Sequence, residues 1–311
     1  MRSKLQALFI VSAIVSLAVM AARAQGAPEQ PAQTFRSAVD LVTIQASVRD
    51  NRGRVVSGLT SSDFEVRDNG QVRPILSLRS DRQSPLSVAI LVDMSGSMRI
   101  GPKIAMARQA YDSIVTQLHQ GEDEAAVFAF DASLHQRHEF TRDLSTLKGA
   151  LANFEPFGTT SLFDATAAAA RQLAARSATH KAIIVLTDGI DTSSAMTARE
   201  VSGLASSIDV PVFVVATVPS LDQRLMLEAT GRPGPSGAAD LRDLAEWTGG
   251  QFVFASTFLE TVVAASGLID GLRLQYVLAI EAATGREWRR LDVRVRRPST
   301  TVKARNGYFA G

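Results

Sequence analysis

Residues 86–97 read LSVAILVDMSGS, an apolar run that ends in one carboxylate and two hydroxyls. The run Leu86–Val92 is typical of a strand buried on both faces, because its positions are almost all apolar. Asp93, Ser95 and Ser97 then follow on a short loop at the carboxyl end of that strand. A loop that offers only oxygen ligands suits a hard divalent cation, above all Mg²⁺. This spacing is not specific by itself, so the other loops at the same edge decide its meaning.

Beyond this loop, apolar strands alternate with helical patterns. Further buried strands are predicted over Ala125–Phe130, Ala182–Leu186 and Val210–Val218. The last helix is predicted over Phe258–Leu268, followed by a strand over Leu272–Ala279. Such alternation favours an α/β fold with a doubly wound, mostly parallel sheet and helices on both of its faces.

The segments on either side of the α/β region have strand patterns instead. Segment 35–83 alternates apolar and polar residues and contains Asn69-Gly70, a strong hairpin signal. Segment 271–311 alternates in the same way. Neither segment is long enough to fold comfortably alone. We therefore expect the two segments to pair into a small β-sandwich-like domain, with the α/β region, residues 85–270, inserted between them.

The N-terminus has the pattern of an export signal. Arg2 and Lys4 precede a mostly apolar stretch that ends in the Ala-Arg-Ala of residues 22–24, the small residues that a signal peptidase reads. We expect cleavage of residues 1–24, a linker over 25–34, and a mature protein without a membrane span in the periplasm or outside the cell. An uncleaved N-terminal membrane anchor is the alternative, because the uncharged run is borderline in length for spanning.

Composition excludes two classes of function. Removal of the signal peptide takes away three basic residues and no acidic one, so the formal net charge of +2 becomes about −1. No basic excess then remains to attract a nucleic acid, and we expect none as partner. The sequence contains no cysteine, which excludes disulfides and a thiol nucleophile.

Two further loops carry oxygen side chains at predicted strand ends. Residues 158–161 (Gly-Thr-Thr-Ser) precede a predicted helix, and residues 187–191 (Thr-Asp-Gly-Ile-Asp) follow the third buried strand. Because ligands of open parallel sheets bind beyond the carboxyl ends of the strands, we expect these loops to meet the first one. Each loop alone also allows a plain role in a cap, a turn or a strand end. The plain role is a helix cap for Ser97 or Thr160, a turn for Asp188 and a strand end for Asp93.

Together these loops resemble the metal-ion-dependent adhesion site of von Willebrand factor type A domains. The likeness covers roughly residues 85–270, and the set of five residues is complete: Asp93, Ser95, Ser97, Thr160 and Asp188. The resemblance implies that the three hydroxyls coordinate Mg²⁺, with Mn²⁺ or Ca²⁺ as alternatives, while the two aspartates act through water or alternate as ligands. It also implies that a Glu or Asp of a partner protein completes the coordination.

Stretches outside the α/β region show a second likeness. Residues 58–64 (GLTSSDF) and 307–310 (GYFA) are similar to those of a related family of exported bacterial proteins. This likeness agrees with the predicted signal peptide and implies a place in the bacterial envelope.

The functional prediction is an exported, Mg²⁺-dependent protein-binding module for adhesion or assembly, and not an enzyme. No histidine falls on the three loops, and Ser95 lacks the Gly-x-Ser-x-Gly context of a nucleophile, so no catalytic residue is assigned. A Mg²⁺-dependent hydrolase that uses the same oxygens and a scaffold with an unused metal site are the alternatives. Capping or surface roles are expected for Asp164 and Asp191, with support of the metal ligands as the alternative.

Overall fold

The structure, a computed structural model, describes residues 41–80, 84–178, 180–189, 191–207, 209–218 and 238–310. The predicted signal peptide and linker lie outside the described residues. Within these residues the strands are β1 Leu41–Asp50, β2 Phe64–Asp68, β3 Gln71–Arg73, β4 Ile75–Arg79, β5 Leu86–Asp93, β6 Glu124–Phe130, β7 Leu134–Thr141, β8 His180–Thr187, β9 Val212–Thr217, β10 Phe252–Ala255, β11 Tyr276–Glu281, β12 Trp288–Val295, β13 Thr300–Ala304 and β14 Gly307–Phe309. The helices are α1 Lys103–Gln117, α2 Leu162–Ala174, α3 Ala198–Ser207, α4 Ala238–Thr248 and α5 Phe258–Arg273. None of these helices combines the length and apolarity that crossing a bilayer requires.

The central sheet has the strand order β10-β9-β8-β5-β6-β7, and only the edge strand β7 runs antiparallel to its neighbour. Every residue of β5 is buried, because helices cover both faces of the sheet. Val88 and Ile90 belong to the core that α1 and α5 cover, whereas Ala89 and Leu91 belong to the core under α2, α3 and α4. The predicted α/β class is confirmed.

The chain reverses direction across the sheet between β5 and β8. It adds β6 and β7 on one side of β5 and then crosses to place β8, β9 and β10 on the other side. In open sheets of this kind, the crevice beyond the carboxyl ends of the two strands at the reversal is the usual ligand site. The loops after β5 and β8 meet there, and both carry predicted site residues.

A β-sandwich-like region surrounds the two ends of this α/β region. Its four-stranded sheets have the orders β13-β1-β11-β4 and β14-β12-β2-β3. Each sheet combines strands from before β5 with strands from after α5, as the sequence predicts. The apolar side chains between the sheets form a separate core that includes Ile44, Val66 and Tyr276. The Tyr276 hydroxyl closes this core by donating a hydrogen bond of 3.0 Å to the carbonyl oxygen of Val56.

The prediction of the last helix and the strand after it is wrong in its boundary. The helix continues to Arg273 instead of ending at Leu268, and the strand begins at Tyr276 instead of Leu272. Leu268, Ile269 and Leu272 are all buried against the α/β core at helical spacing. Leu272 therefore completes a helical stripe, although it also fits the alternating pattern of the strand.

Arg273 ends α5 at an ion pair that joins three elements. The buried carboxylate of Asp123 accepts hydrogen bonds from the guanidinium of Arg273, from the backbone N–H of Leu86 at 2.9 Å and from the backbone N–H of His119 at 2.6 Å. It thereby fixes the starts of β5 and β6 to the end of α5. These are the amino ends of the parallel strands, opposite to the predicted site.

A second buried ion links the α/β region to the sandwich. The guanidinium of Arg305 donates to the carbonyl oxygen of Ser206, which precedes β9, and to the carbonyl oxygen of Thr43 in β1. Only 4% of Arg305 is exposed, so its charge depends on these carbonyls and on the carboxylate of Asp209 rather than on water.

Replacement of Arg305 by methionine tests this link. We expect Arg305→Met to lose about 3 kcal/mol of unfolding free energy, because the buried carbonyl of Ser206, the carbonyl of Thr43 and the carboxylate of Asp209 all lose a charged donor. Urea denaturation measures the loss. Arg290→Met, at an exposed position of β12, is the matched control and should change stability by less than about 0.5 kcal/mol. Equal stability of the two variants would contradict the role of Arg305.

Candidate metal-binding site

The first two loops approach each other through their backbones. The N–H of Gly96 donates to the carbonyl oxygen of Gly158 at 3.0 Å, and the N–H of Phe157 donates to that of Met94 at 2.7 Å. A Cβ atom on Gly96 would lie 3.3 Å from the same Gly158 oxygen, so glycine permits the approach. The loop that carries Thr160 is therefore held against the loop after β5.

Asp93 ends β5 and is fully buried between two loops. Its Oδ1 accepts a hydrogen bond of 2.8 Å from the N–H of Ser95, which shapes the first loop. Its Oδ2 accepts one of 2.6 Å from the hydroxyl of Thr187, the last residue of β8. The Thr187 oxygen in turn accepts from the N–H of Gly189 at 3.0 Å. One carboxylate thus ties the loops of both strands at the reversal point.

The hydroxyls of the first two loops are not used as helix caps. The oxygen atoms of Ser95 and Ser97 lie 3.0 Å apart, and Ser95 makes no side-chain cap bond to the 3-10 turn that follows it. Thr160 is 3% exposed, and Ser161 rather than Thr160 is the N-cap residue of α2. The described hydrogen bonds of Thr160 come from its backbone, which pairs with Thr192 in the third loop. Ser97 lies inside that 3-10 turn, and Pro102 is the N-cap residue of α1, so the capping alternative fails for Ser97 as it does for Thr160.

The two carboxylate oxygens of Asp188, in the third loop, differ in their hydrogen bonding. Its Oδ2 accepts a hydrogen bond of 3.0 Å from the Nζ of Lys103, the first residue of α1. Its Oδ1 is buried and has no hydrogen-bond partner in the structure. A buried carboxylate oxygen without a donor is costly, unless another group supplies positive charge there.

Asp164 and Asp191 organise the loop after β8, in agreement with the capping role expected for them. Asp191 accepts from the N–H of Phe163 at the start of α2 and from both donors of Ser194. Asp164 accepts from the backbone N–H groups of Ala195 and Met196 at 2.9 Å each. These bonds fasten the third loop to α2, which follows the second loop.

The loops that carry all five predicted residues thus come together at one edge of the sheet. Their oxygens are two carboxylates and three hydroxyls, a hard donor set that fits Mg²⁺ better than a softer metal. In the part of the chain that the structure describes, no three side chains of His, Asp or Glu gather as a metal-binding group. That the five residues hold a metal stays a prediction.

Two site residues escaped the sequence reasoning. Thr187 has the side chain that holds Asp93, and Lys103 pairs with Asp188. The signal for Lys103 was its place on the first turn of an amphipathic helix, where the helix dipole disfavours a positive charge. Thr187 gave no such signal, because threonine is common in strands.

Burial raises the pKa of Asp93 to about 6, and the negative charge of Asp188 adds to the rise. The hydrogen bonds from Thr187 and Ser95 oppose the change without cancelling it. The raised pKa means that the folded state prefers the protonated acid. Ionisation of Asp93 therefore costs stability, which is lost as the pH rises from the unfolded pKa near 4 through 6.

Replacement of Asp93 by asparagine removes this cost. In EDTA, we expect Asp93→Asn to gain stability relative to the wild type as the pH rises from 4 to 7.5, by up to roughly 3 kcal/mol. Urea unfolding at several pH values measures the difference. Asp270→Asn, at an exposed position of α5, is the control and should follow the wild type. A constant difference between Asp93→Asn and wild type over this range would refute the expectation.

Comparison with known proteins supports the sequence resemblance. Residues 88–191 match the von Willebrand factor type A domain family. No curated protein matches the chain. Among solved structures, a von Willebrand factor type A protein from Catenulispora acidiphila is 14% identical with a TM-score of 0.51, over 89% of this chain and 74% of that one.

Two other solved structures are similar in parts of their length. The PilB minor pilin from Streptococcus sanguinis is 12% identical with a TM-score of 0.45, over 66% of this chain and 64% of that one. Proximal thread matrix protein 1 from the mussel byssus, with a zinc-occupied MIDAS motif, is 16% identical with a TM-score of 0.49, over 66% of this chain and 49% of that one. This chain thus spans less than two thirds of either protein. Residues 88–191 of this chain, from β5 to the loop after β8, thus match the von Willebrand factor type A domain family, and they belong to the doubly wound sheet described above.

Proposed function

We propose that this protein is an exported, Mg²⁺-dependent binding module that captures an acidic side chain of a partner protein. The hydroxyls of Ser95, Ser97 and Thr160 would hold the cation, with Asp93 and Asp188 acting through water or as alternating ligands. Mn²⁺ and Ca²⁺ are the alternative cations. The observation that carries the proposal is the buried, unpartnered Oδ1 of Asp188 beside loops whose hydroxyls do not cap helices.

The hydrogen bonds of the two aspartates support different parts for them. Both oxygens of Asp93 are already engaged, by Ser95 and Thr187, which favours contact with a cation through water. Asp188 has one engaged and one unengaged oxygen, which favours a more direct contact. The neutral hydroxyls add ligands without adding negative charge. A bound cation would therefore supply an electrophilic position for a carboxylate from outside.

Exposed apolar side chains on the same loops favour a protein as the partner. Phe157, next to Gly158 in the second loop, is 76% exposed, and Ile100, after the first loop, is 67% exposed. Large apolar side chains beside a polar centre are typical of protein interfaces. The partner that fits is an exposed Glu or Asp with an apolar neighbour. The N-terminal signal pattern supports an encounter outside the cytoplasm.

The hydrolase alternative has no unengaged base beside its candidate nucleophile, Ser95. The described side-chain partner of the Ser95 hydroxyl is the Ser97 hydroxyl, which cannot accept a proton at neutral pH. The Asp93 carboxylate, to which the Ser95 hydroxyl also donates, already accepts from the N–H of Ser95 and the hydroxyl of Thr187. No observation favours hydrolysis over binding.

Removal of one hydroxyl tests the metal site. We expect Thr160→Val to weaken Mg²⁺ binding at least about tenfold, because valine keeps the shape of threonine but offers no oxygen ligand. Isothermal titration calorimetry measures the affinity, and thermal unfolding with Mg²⁺ and with EDTA measures the linked stabilisation. Thr159→Val, at the exposed neighbouring position, is the matched control and should bind Mg²⁺ as the wild type does. Equal Mg²⁺ affinities for the wild type and Thr160→Val would refute the ligand set.

Peptide selection tests the partner class. From a displayed random library, we expect Mg²⁺ but not EDTA to enrich peptides that contain Glu or Asp, and a Glu→Gln or Asp→Asn change in a selected peptide should abolish binding. Phe157→Ser should weaken a selected peptide about tenfold without changing Mg²⁺ affinity, because it removes apolar contact area only. Leu259→Ser, at a position 74% exposed on α5, is the control. Enrichment of peptides without acids would contradict the proposal.

A further inference from the structure

Lys103 is an unusual residue for the first position of a helix. Only 10% of its side chain is exposed, although lysine is rarely buried unless it is paired. A positive charge at this position is also disfavoured, because the helix dipole is positive at its N-terminus. Lys103 therefore depends on a compensating negative charge.

Asp188 supplies that charge, and only one of its two carboxylate oxygens contacts Lys103. The Nζ of Lys103 lies 3.0 Å from Oδ2, and the Asp188 side chain is 3% exposed. The other oxygen, Oδ1, is buried without a hydrogen-bond partner. Lys103 thus neutralises the carboxylate and leaves one of its oxygens for another group.

The charge balance of the site follows from this pair. Asp93, Lys103 and Asp188 are the buried charged residues of the three loops and of the helix start beside them, and they carry a net charge of −1 when both acids are ionised. Arg99, close to Ser97 in sequence, is exposed and therefore well screened. A divalent cation held by these groups would keep one positive charge. One carboxylate from outside would balance it.

We propose that Lys103 makes cation binding depend on an outside carboxylate, by withholding negative charge that the protein would otherwise offer. This inference rests on the proposed function above. Lys103 lowers the affinity of the protein alone for the cation and so favours the state in which cation and carboxylate are bound together. By linkage, the cation and the carboxylate must strengthen each other to the same extent.

A purely structural role of Lys103 leads to the opposite expectation. If Lys103 only orients Asp188, its removal weakens cation binding. Three substitutions separate the two roles. Lys103→Gln keeps a nitrogen donor and removes the charge, Lys103→Met removes both, and Lys103→Arg keeps the charge.

The experiment measures Mg²⁺ binding by calorimetry in chloride and in acetate at equal ionic strength, with acetate as the probe carboxylate. In chloride, we expect Lys103→Gln and Lys103→Met to bind Mg²⁺ about tenfold more tightly than the wild type. Acetate should strengthen Mg²⁺ binding about fivefold or more in the wild type and in Lys103→Arg, and much less in the two neutral variants. Lys148→Met, at an exposed position, is the control for net charge and should match the wild type.

The outcomes distinguish the two proposals. If the wild type binds Mg²⁺ but the neutral variants bind it equally or more weakly, the role of Lys103 is overturned while the proposed function stands. The same holds if Lys148→Met shows the same gain. If the wild type binds no Mg²⁺, the proposed function fails and this inference fails with it. If circular dichroism in EDTA shows that the neutral variants do not fold, the wild type alone tests the inference. Acetate must then strengthen Mg²⁺ binding by the wild type, and absence of this enhancement overturns the inference.

Discussion

The hydrogen bond from Thr187 to Asp93 is the contact on which the site depends. It joins the carboxyl ends of β5 and β8, the two neighbouring strands between which the chain reverses direction across the sheet. Parallel strands of a doubly wound sheet bring their carboxyl ends to one edge, but they do not by themselves fix the side chains there. The bond does so, because it sets one carboxylate between the loops after both strands. The second loop is then held against the first through the backbone contact of Gly96 with Gly158.

This arrangement stores an electrostatic cost in the folded protein. Asp93 and Asp188 are both buried, and the raised pKa of Asp93 reports that desolvation and mutual repulsion outweigh the hydrogen bonds it receives. A fold selected for stability alone would place apolar or neutral side chains at such positions. Lys103 offsets part of the cost and a bound cation would offset the rest. The buried carboxylates therefore make the folded protein less stable when no further positive charge lies beside them. Such a local cost is typical of functional sites.

How well each feature could be predicted from the sequence depends on how far apart in the chain its interacting residues lie. The strand Leu86–Val92 and the oxygen-bearing loops could be predicted, because an apolar run and the residues directly after it are local features. Lys103 could not be placed, because its partner Asp188 lies 85 residues away and only the folded sheet brings them together. The prediction of where α5 ends failed for another reason, because Leu272 fits both a helical and an alternating pattern. The packing of Leu272 against the α/β core selects the helix, and no local signal in the sequence distinguishes the two patterns.

The β-sandwich-like region is attached at the opposite end of the parallel strands. Arg305 reaches the carbonyl oxygen of Ser206 before β9, and the N–H of Asn306 donates to the carbonyl oxygen of Trp247 at 3.0 Å. The backbone of Gly249, before β10, packs so closely on the end of β13 that a Cβ atom would lie 2.6 Å from the backbone nitrogen of Arg305. All of these contacts use residues at the amino edge of the sheet. The chain also enters and leaves the α/β region at that edge, through the start of β5 and the end of α5. In this inserted domain, the described contacts that anchor it and the three loops with the predicted site residues therefore lie at opposite ends of the same strands.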